Sequence, residues 1–443
     1  MGLSRPPPQM GMARSCPPLP PSTTGGNRNV AAETGEKIKK NMGATAVGLL
    51  FFCTFVAYNA PVANTPGAPL TVKTQTDMRI SRFITIVMVA WLASTLAATA
   101  APIDARTARA TAQTFATQRG KQIVTPTAPL KVKGSTSTHA PYYIYDVANG
   151  GGFVIIAGDD RVPSILGYTD SGSYDEATLP DALRDMLADY RHQIEALDSL
   201  PEAGQASQSA SAMRAQVAHP SRRFVAPLLP TAWNQKDPYN QLCPVYNNSD
   251  GSSSGARSAT GCVATALGQM MAYYRYPSAT MADIPSYSFT SGGKSIRMDA
   301  VAKGTKIDWN NIRNTYSAAN TEAEKTAVAQ LMVIVGTGCQ MAYGAASASN
   351  MQMGVQLLRD KMGYDETVRN VCRTNYTQTE WTDLLYREVA EGRPVGYRAN
   401  STLRGGHAFV IDGYDTADLF HVNWGWGGSS NGYFRISVLY QSE

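Results

Sequence analysis

The stretch TGCVATALGQMMAYY, residues 260–274, decides how the rest of the chain is read. Cys262 follows a glycine and opens an apolar run. Val263, Ala266, Leu267, Met270, Met271 and Tyr274 recur at the three-to-four-residue spacing of one helix face, and Pro277 ends the run. This places Cys262 at or beside a helix N-terminus, where the macrodipole and unpaired N–H groups favour thiolate over thiol. Three readings of it stand open: a nucleophile, half of a disulfide with Cys243, or a small buried side chain.

A nucleophilic cysteine needs a base, and the base needs an orienting group. Beyond residue 223 the only histidines are His407 and His421. His407 lies in GGHAFVIDGYD (405–415), where Gly405 and Gly406 let the backbone pass close to a ligand. His407, Phe409 and Ile411 alternate as in a strand. LFHVNWGWGGSSNGYF (419–434) reads as a return strand and a glycine-rich loop. Pairing the two runs brings Asn423 or Trp424 beside His407, and the Asn423 side-chain carbonyl suits an imidazole. His421 reads as structural. Trp424, Trp426, Met341 and Tyr343 read first as core residues, and spacing alone does not single out Gln235.

The rest of the chain frames this constellation. Its 443 residues allow two or three domains, and 43% hydrophobic content supports a packed core. A net charge of +5, no long Lys/Arg run and no zinc-type cysteine spacing make nucleic acid a poor partner. Six scattered cysteines do not form a disulfide scaffold.

Residues 1–77 read as a mis-assigned, disordered extension, although the apolar run 42–58 also has the look of a short membrane anchor. A signal peptide is expected at 78–101. Met78 starts it, Arg79 and Arg82 supply charge, Phe83 to Leu96 supply the apolar stretch, and Ala98-Thr99-Ala100 supplies a small-x-small cleavage site. Next, YYIYDV (142–147) and FVIIAGDD (153–160) flank Asn149-Gly150 and predict a hairpin. Leu183, Leu187, Tyr190, Ile194 and Leu197 predict a helix over 179–200. Residues 201–221 read as a linker, and Arg222-Arg223 as a processing site before a second unit.

At this point several ordered motifs carry a resemblance. GCVATA (261–266), GGHAFVIDGYD and FHVNWGWGG closely resemble streptopain-type secreted bacterial cysteine peptidases, of the papain-like clan. WNQKDPYNQLCP (233–244) is similar to the segment just inside that family's mature N-terminus. MAYGAASAS (341–349) resembles its substrate-side stretch, and residues 153–175 resemble its propeptide. The likeness runs through residues 102–440 in order, except that the chain stops at ISVLYQSE where the family usually continues.

The resemblance implies an α+β fold: a papain-like catalytic domain at 223–443, preceded by a small α+β inhibitory propeptide at 102–222. One half of the catalytic domain is helical and bears the cysteine; the other is β-rich and bears the histidine. It implies Cys262 as nucleophile, His407 as base and later acid, and Gln235 with the Cys262 N–H as oxyanion hole. Asn423 would orient His407, and Trp424 would shield that contact. Met341 and Tyr343 would line the substrate side, with Gly405 and Gly406. The expected protein is a secreted cysteine endopeptidase, released or held at the cell surface, that takes protein or peptide substrates with an apolar residue two positions before the cut. It needs no cofactor or metal, has its propeptide as intramolecular partner, and has no stable membrane partner after signal removal. Two other classes share these residues: an inactive secreted relative acting as inhibitor or binding module, and a thiol transamidase.

Overall fold

The computed structural model describes residues 53–56, 102–124, 140–199, 222–401 and 405–438. The signal-like stretch 78–101, the linker 201–221 and the last five residues lie outside them, as does most of the N-terminal extension. Within that extension, Cys53–Val56 forms a short strand, β1.

The first unit follows its local signals. α1 (Ala105–Gln118) starts where the Asp104 side chain accepts a hydrogen bond from Thr107 N. β2 (Tyr142–Asp146) and β3 (Phe153–Ala157) pair antiparallel. Asn149 and Gly150 between them adopt φ of 60° and 66°, the left-handed region that an Asn-Gly pair tolerates. β4 (Ile165–Thr169) pairs with β3, and α2 (Asp181–Glu195) follows. Leu183, Leu187, Tyr190, Ile194 and Leu197 are all buried, as their spacing predicts.

The second unit begins with the small ribbon β5 (Val245–Asn247) and β6 (Ser253–Arg257). Helix α3 (Cys262–Tyr274) comes next, then the ribbon β7 (Tyr287–Ser291) and β8 (Lys294–Met298). Helices α4 (Glu322–Gly338) and α5 (Met351–Gln356) complete the helical half. β9 (Arg369–Cys372) and α6 (Gln378–Ala390) lead into β10 (Val395–Ser401), β11 (Gly405–Asp415), β12 (Leu419–Asn423) and β13 (Gly432–Phe434).

Nine strands make one antiparallel sheet in the order β2-β3-β4-β13-β12-β11-β10-β1-β9. It therefore runs unbroken from the first unit into the second, through β4 and β13. Gly167 is needed at that junction, because a Cβ there would stand 2.6 Å from the Phe434 ring. α2 and α6 cover one face of the sheet, burying Leu183, Leu187 and Trp381 with Phe409, Ile411 and Phe434. α1 covers part of the other, with Ala108, Ala112 and Ala116 against Tyr143, Val154 and Ile156. A separate core joins α3, α4 and α5 through Leu267, Met271, Val328, Met332 and Val355. The expected division into a cysteine-bearing helical half and a histidine-bearing β half is thus present.

α3 departs from its sequence pattern in one respect. Residues 263–271 are buried on every side, including Thr265 and Gln269, whereas Tyr274, placed on the apolar face, is 40% exposed. A helix enclosed all round marks a central element. Its end is set by Arg275 in the left-handed region, one residue before Tyr276 and two before Pro277.

Tyr190 stitches the two units together. Its hydroxyl lies 2.5 Å from the Arg435 carbonyl and 3.2 Å from the Leu166 carbonyl, so one proton serves two buried acceptors. Tyr190→Phe is expected to destabilise the folded chain by about 1–3 kcal/mol, read as a lower denaturant midpoint with an unchanged slope.

Candidate active site

Gly261 turns the chain into α3 with φ 87°, and no side chain caps the helix start. The first N–H groups, that of Cys262 included, therefore lack the capping partner most helices supply. The turn is fixed from outside. A Cβ on Gly261 would stand 2.7 Å from the Met341 sulfur, and the Ser347 hydroxyl donates to Ala259 O at 2.7 Å. Met341 is fully buried and forms a floor beneath the Gly261 turn. Tyr343 is buried as well, against Gly336 and the Cys243 thiol, so it supports that floor from within.

β11 brings the base. His407 pairs with Ala399 of β10, near the start of the strand. Its imidazole hydrogen-bonds the Cys262 thiol, which the Ala408 backbone also contacts. Burial pushes the thiol up, but the His407 hydrogen bond, the Ala408 contact and the charges of His407 and Arg398 outweigh it and hold Cys262 below its ordinary value. For His407, burial disfavours the cation, yet Asp185 and Cys262 together raise it from 6.5 to about 9. Both shifts favour the thiolate–imidazolium form of the pair.

The third partner is not the one the sequence suggests. His407 Nε2 faces the Asp185 carboxylate of α2 at 3.4 Å, a charge contact too long for a well-made hydrogen bond. Asn423 lies opposite Val410, three residues along β11 from His407. Its side chain is engaged elsewhere: Oδ1 accepts from Gln269 Nε2 (3.2 Å) and Gly425 N (3.1 Å), and Nδ2 donates to Thr231 O (2.7 Å). The expected Asn423–His407 contact gives way to these three bonds, and so does the shielding role for Trp424. Trp424 is a core residue between Phe409 and Phe434, with its indole N–H on Ser430 O.

Gln235 is brought close. Its carbonyl accepts from Thr260 N at 3.0 Å, two residues before Cys262. Gly406, half-buried, pairs with Asn400, and Gly405 with Ser401, leading directly into His407. His421, read as structural, pairs with buried Asp412 at 2.6 Å.

The open disulfide reading is resolved. Cys243, Cys262 and Cys339 are all free thiols, and burial pushes Cys243 and Cys339 up to about 12. Cys372 is disulfide-bonded. Sequence reasoning missed Asp185, which looked like one more polar position on an amphipathic helix, and Gln269, hidden in an apolar run. The Asp185–Asp189 spacing, two carboxylates on one helical face, was the available signal for the first.

Known proteins resemble both units of the chain. A sequence model of the Peptidase C10 family matches residues 233–434, and one of the Spi protease inhibitor matches residues 100–194. The chain is 35% identical over 305 residues to streptopain of Streptococcus pyogenes serotype M28, covering 67% of this chain and 74% of that protein. It is 30% identical over 353 residues to the thiol protease/hemagglutinin PrtT of Porphyromonas gingivalis, covering 77% of this chain and 39% of that one. Among solved structures, a fragment of Prevotella intermedia prointerpain A superposes with a TM-score of 0.55 at 30% identity, over 73% of this chain and 94% of the fragment.

The thiol chemistry gives a direct check. Brief alkylation of the native chain near neutral pH is expected to label Cys262 and leave Cys243 and Cys339 unmodified, as mapped by peptide mass. Equal labelling of the three would remove the case for an activated Cys262.

Proposed function

The chain belongs to the Peptidase C10 family and is a cysteine endopeptidase made with an inhibitory propeptide attached, and we propose that Cys262 and His407 are its nucleophile and base. The contact that carries this reading joins the N-terminus of α3 to β11, with the thiol lowered and the imidazole raised. The thiolate attacks the scissile carbonyl, forming the C–S bond as the carbonyl becomes an oxyanion. The uncapped Cys262 N–H and the Gln235 side chain supply donors to that oxygen. His407 then protonates the leaving amine, and water, deprotonated by His407, hydrolyses the thioester.

Asn423 acts in this proposal as a positioning residue. Through Gln269 and Thr231 it holds β12, α3 and the segment bearing Gln235 in one register. Gly405 and Gly406 form the rim along which an extended substrate passes, Met341 and Tyr343 back the site, and an apolar residue is preferred two positions before the cut. Residues 102–222 are the propeptide and 78–101 the export signal of a secreted enzyme. No helix among the described residues is long and apolar enough to cross a membrane.

Cys262→Ala in the full chain is expected to abolish both self-processing and peptide cleavage while leaving the thermal midpoint within a few degrees. Processing that continues at the wild-type rate in pure Cys262→Ala protein would overturn the assignment.

Inhibition has a pH sign. With the propeptide docked His407 stays charged up to about 9, against 6.5 ordinarily. Asp185 supplies part of that rise and Cys262 the rest, so the Asp185 contact holds the propeptide while His407 is charged and is lost as pH rises towards about 9. One turn along α2, Asp189 hydrogen-bonds Gln193, and burial pushes its carboxyl from 3.8 up to about 7. Burial thus favours neutral Asp189, and the stability it lends the folded chain is lost as pH climbs from 3.8 to about 7. The lock at His407 thus weakens as pH rises. The lag before activity is expected to shorten with pH, and Asp185→Asn to shorten it near neutrality and flatten its dependence between 6.5 and 9. An unaltered lag profile would exclude Asp185 from the lock.

A further inference from the structure

The Arg222-Arg223 pair looks in sequence like a processing site, but the chain around it is built into the catalytic half. Val225 and Tyr414 exchange two main-chain hydrogen bonds of 2.9 Å. Leu228 N donates to Asp412 O at 2.8 Å, and Leu229 N to the Asp412 carboxylate at 2.9 Å. Gly413 permits this approach, since a Cβ there would stand 2.9 Å from the Val225 carbonyl.

Ahead of that bridge the Arg222 side chain, 3% exposed, is inserted between α6 and the β11–β12 turn. Its guanidinium meets Asp383 at 2.6 Å, Asp418 at 2.5 Å, the Thr382 hydroxyl at 3.2 Å and the Tyr414 hydroxyl at 3.4 Å. The rings of Tyr386 and Tyr414 lie 5.5 and 5.7 Å from its central carbon. The Tyr386 hydroxyl also accepts from Arg223 N at 2.8 Å. Every one of these partners lies beyond residue 223.

We propose that Arg222 is the N-terminal anchor of the mature peptidase: maturation leaves it on the catalytic chain, and neither the 222–223 nor the 223–224 bond is the processing bond. The proposal rests on the zymogen reading above and shifts the boundary implied by the Arg-Arg pair to the N-terminal side of Arg222. A protease hydrolyses a bond, adding water to give a carboxylate and an amine, only after drawing several flanking residues into its own cleft. At 222–223 that requires pulling the guanidinium from two carboxylates and stripping the Val225 bridge. A cut there would also sever the cation from its cage and leave Asp383 and Asp418 facing each other without it. The pair is thus hidden from proteases that would read it as dibasic.

Two measurements on the full chain test this. The wild-type chain is allowed to mature under reducing conditions, and the product is taken for N-terminal sequencing and intact mass. Arg222 is expected on the catalytic product, and a product beginning at Arg223 or Phe224 would overturn the proposal. Separately, the Cys262→Ala chain is exposed to trypsin, which cuts after Arg and Lys. Cleavage after Arg222 and Arg223 is expected to be absent while the chain stays native, and to appear at least ~10-fold faster in an Asp383→Asn, Asp418→Asn variant, because cleavage follows the population of the opened segment. Rapid trypsin cleavage after Arg222 in the folded parent chain would also overturn it. If the wild-type chain never matures, the zymogen reading fails, and the trypsin experiment still decides whether Arg222 is anchored.

Discussion

Everything at the site hangs on one buried amide. Gln269 is fully enclosed in α3, where an unpartnered side-chain amide would be costly. Its oxygen accepts from the Thr231 hydroxyl at 3.0 Å and from Trp233 N at 3.2 Å, and its nitrogen donates to Asn423 at 3.2 Å. Three elements are thereby locked in one register: the helix that starts at Cys262, the segment that carries Gln235, and the strand beside the one that carries His407. Asn423 completes the loop by donating to Thr231 O. Ala408 and Val410 of β11 pack into the core of the helical half, but apolar packing is non-directional and does not by itself set the relative position of the two halves to within a hydrogen bond. A polar network whose bonds are made in a dry interior does.

The thiolate–imidazolium pair crosses that same junction, and the propeptide exploits it. Asp185 places a carboxylate against the imidazole, so the propeptide reads the charge state of the pair it restrains. Gln193, two turns beyond Asp185, accepts from Val438 N and Ser437 Oγ, so α2 is held at both ends of its contact with the catalytic half. Restraint comes from a helix laid across the β half together with strand β4 added to its sheet, and Arg119 and Tyr168 both reach Asp415 at 2.8 Å to fix that edge.

Much of this was legible in the sequence because it rests on local signals. The Asn149-Gly150 turn, the α2 periodicity, the α3 start at Gly261-Cys262 and the β11–β12 hairpin are each written within a dozen residues. Cys262 and His407 were singled out because few residues compete for such roles, and the fold brings the two side chains together. What the sequence did not show is long-range and polar. Asn423 follows β12 in the right place for a partner of His407, but the register sets it opposite Val410, and Gln269 claims its carbonyl. Asp185 is 222 residues from His407 in the chain, and no periodicity records such a meeting. Arg222 read as half of a processing site, because its two carboxylates come from distant α6 and the β11–β12 turn.

The shared sheet has a consequence for maturation. β13 is only three residues long and has β12 on one side and β4 on the other. When β4 leaves with the propeptide, β13 becomes an edge with unpaired N–H and C=O groups, and the rings of Phe434 and Tyr433 lose Gly167 and Tyr168 as neighbours. The propeptide therefore does two jobs that pull in opposite directions: it blocks the site, and it covers an edge that the enzyme must later expose. The segment from Arg222 to Leu229 remains after either event. Docked along Asp412 and Tyr414 on the far side of β12 from that edge, it keeps the hairpin carrying His407 tied to the catalytic half whether or not β4 is present.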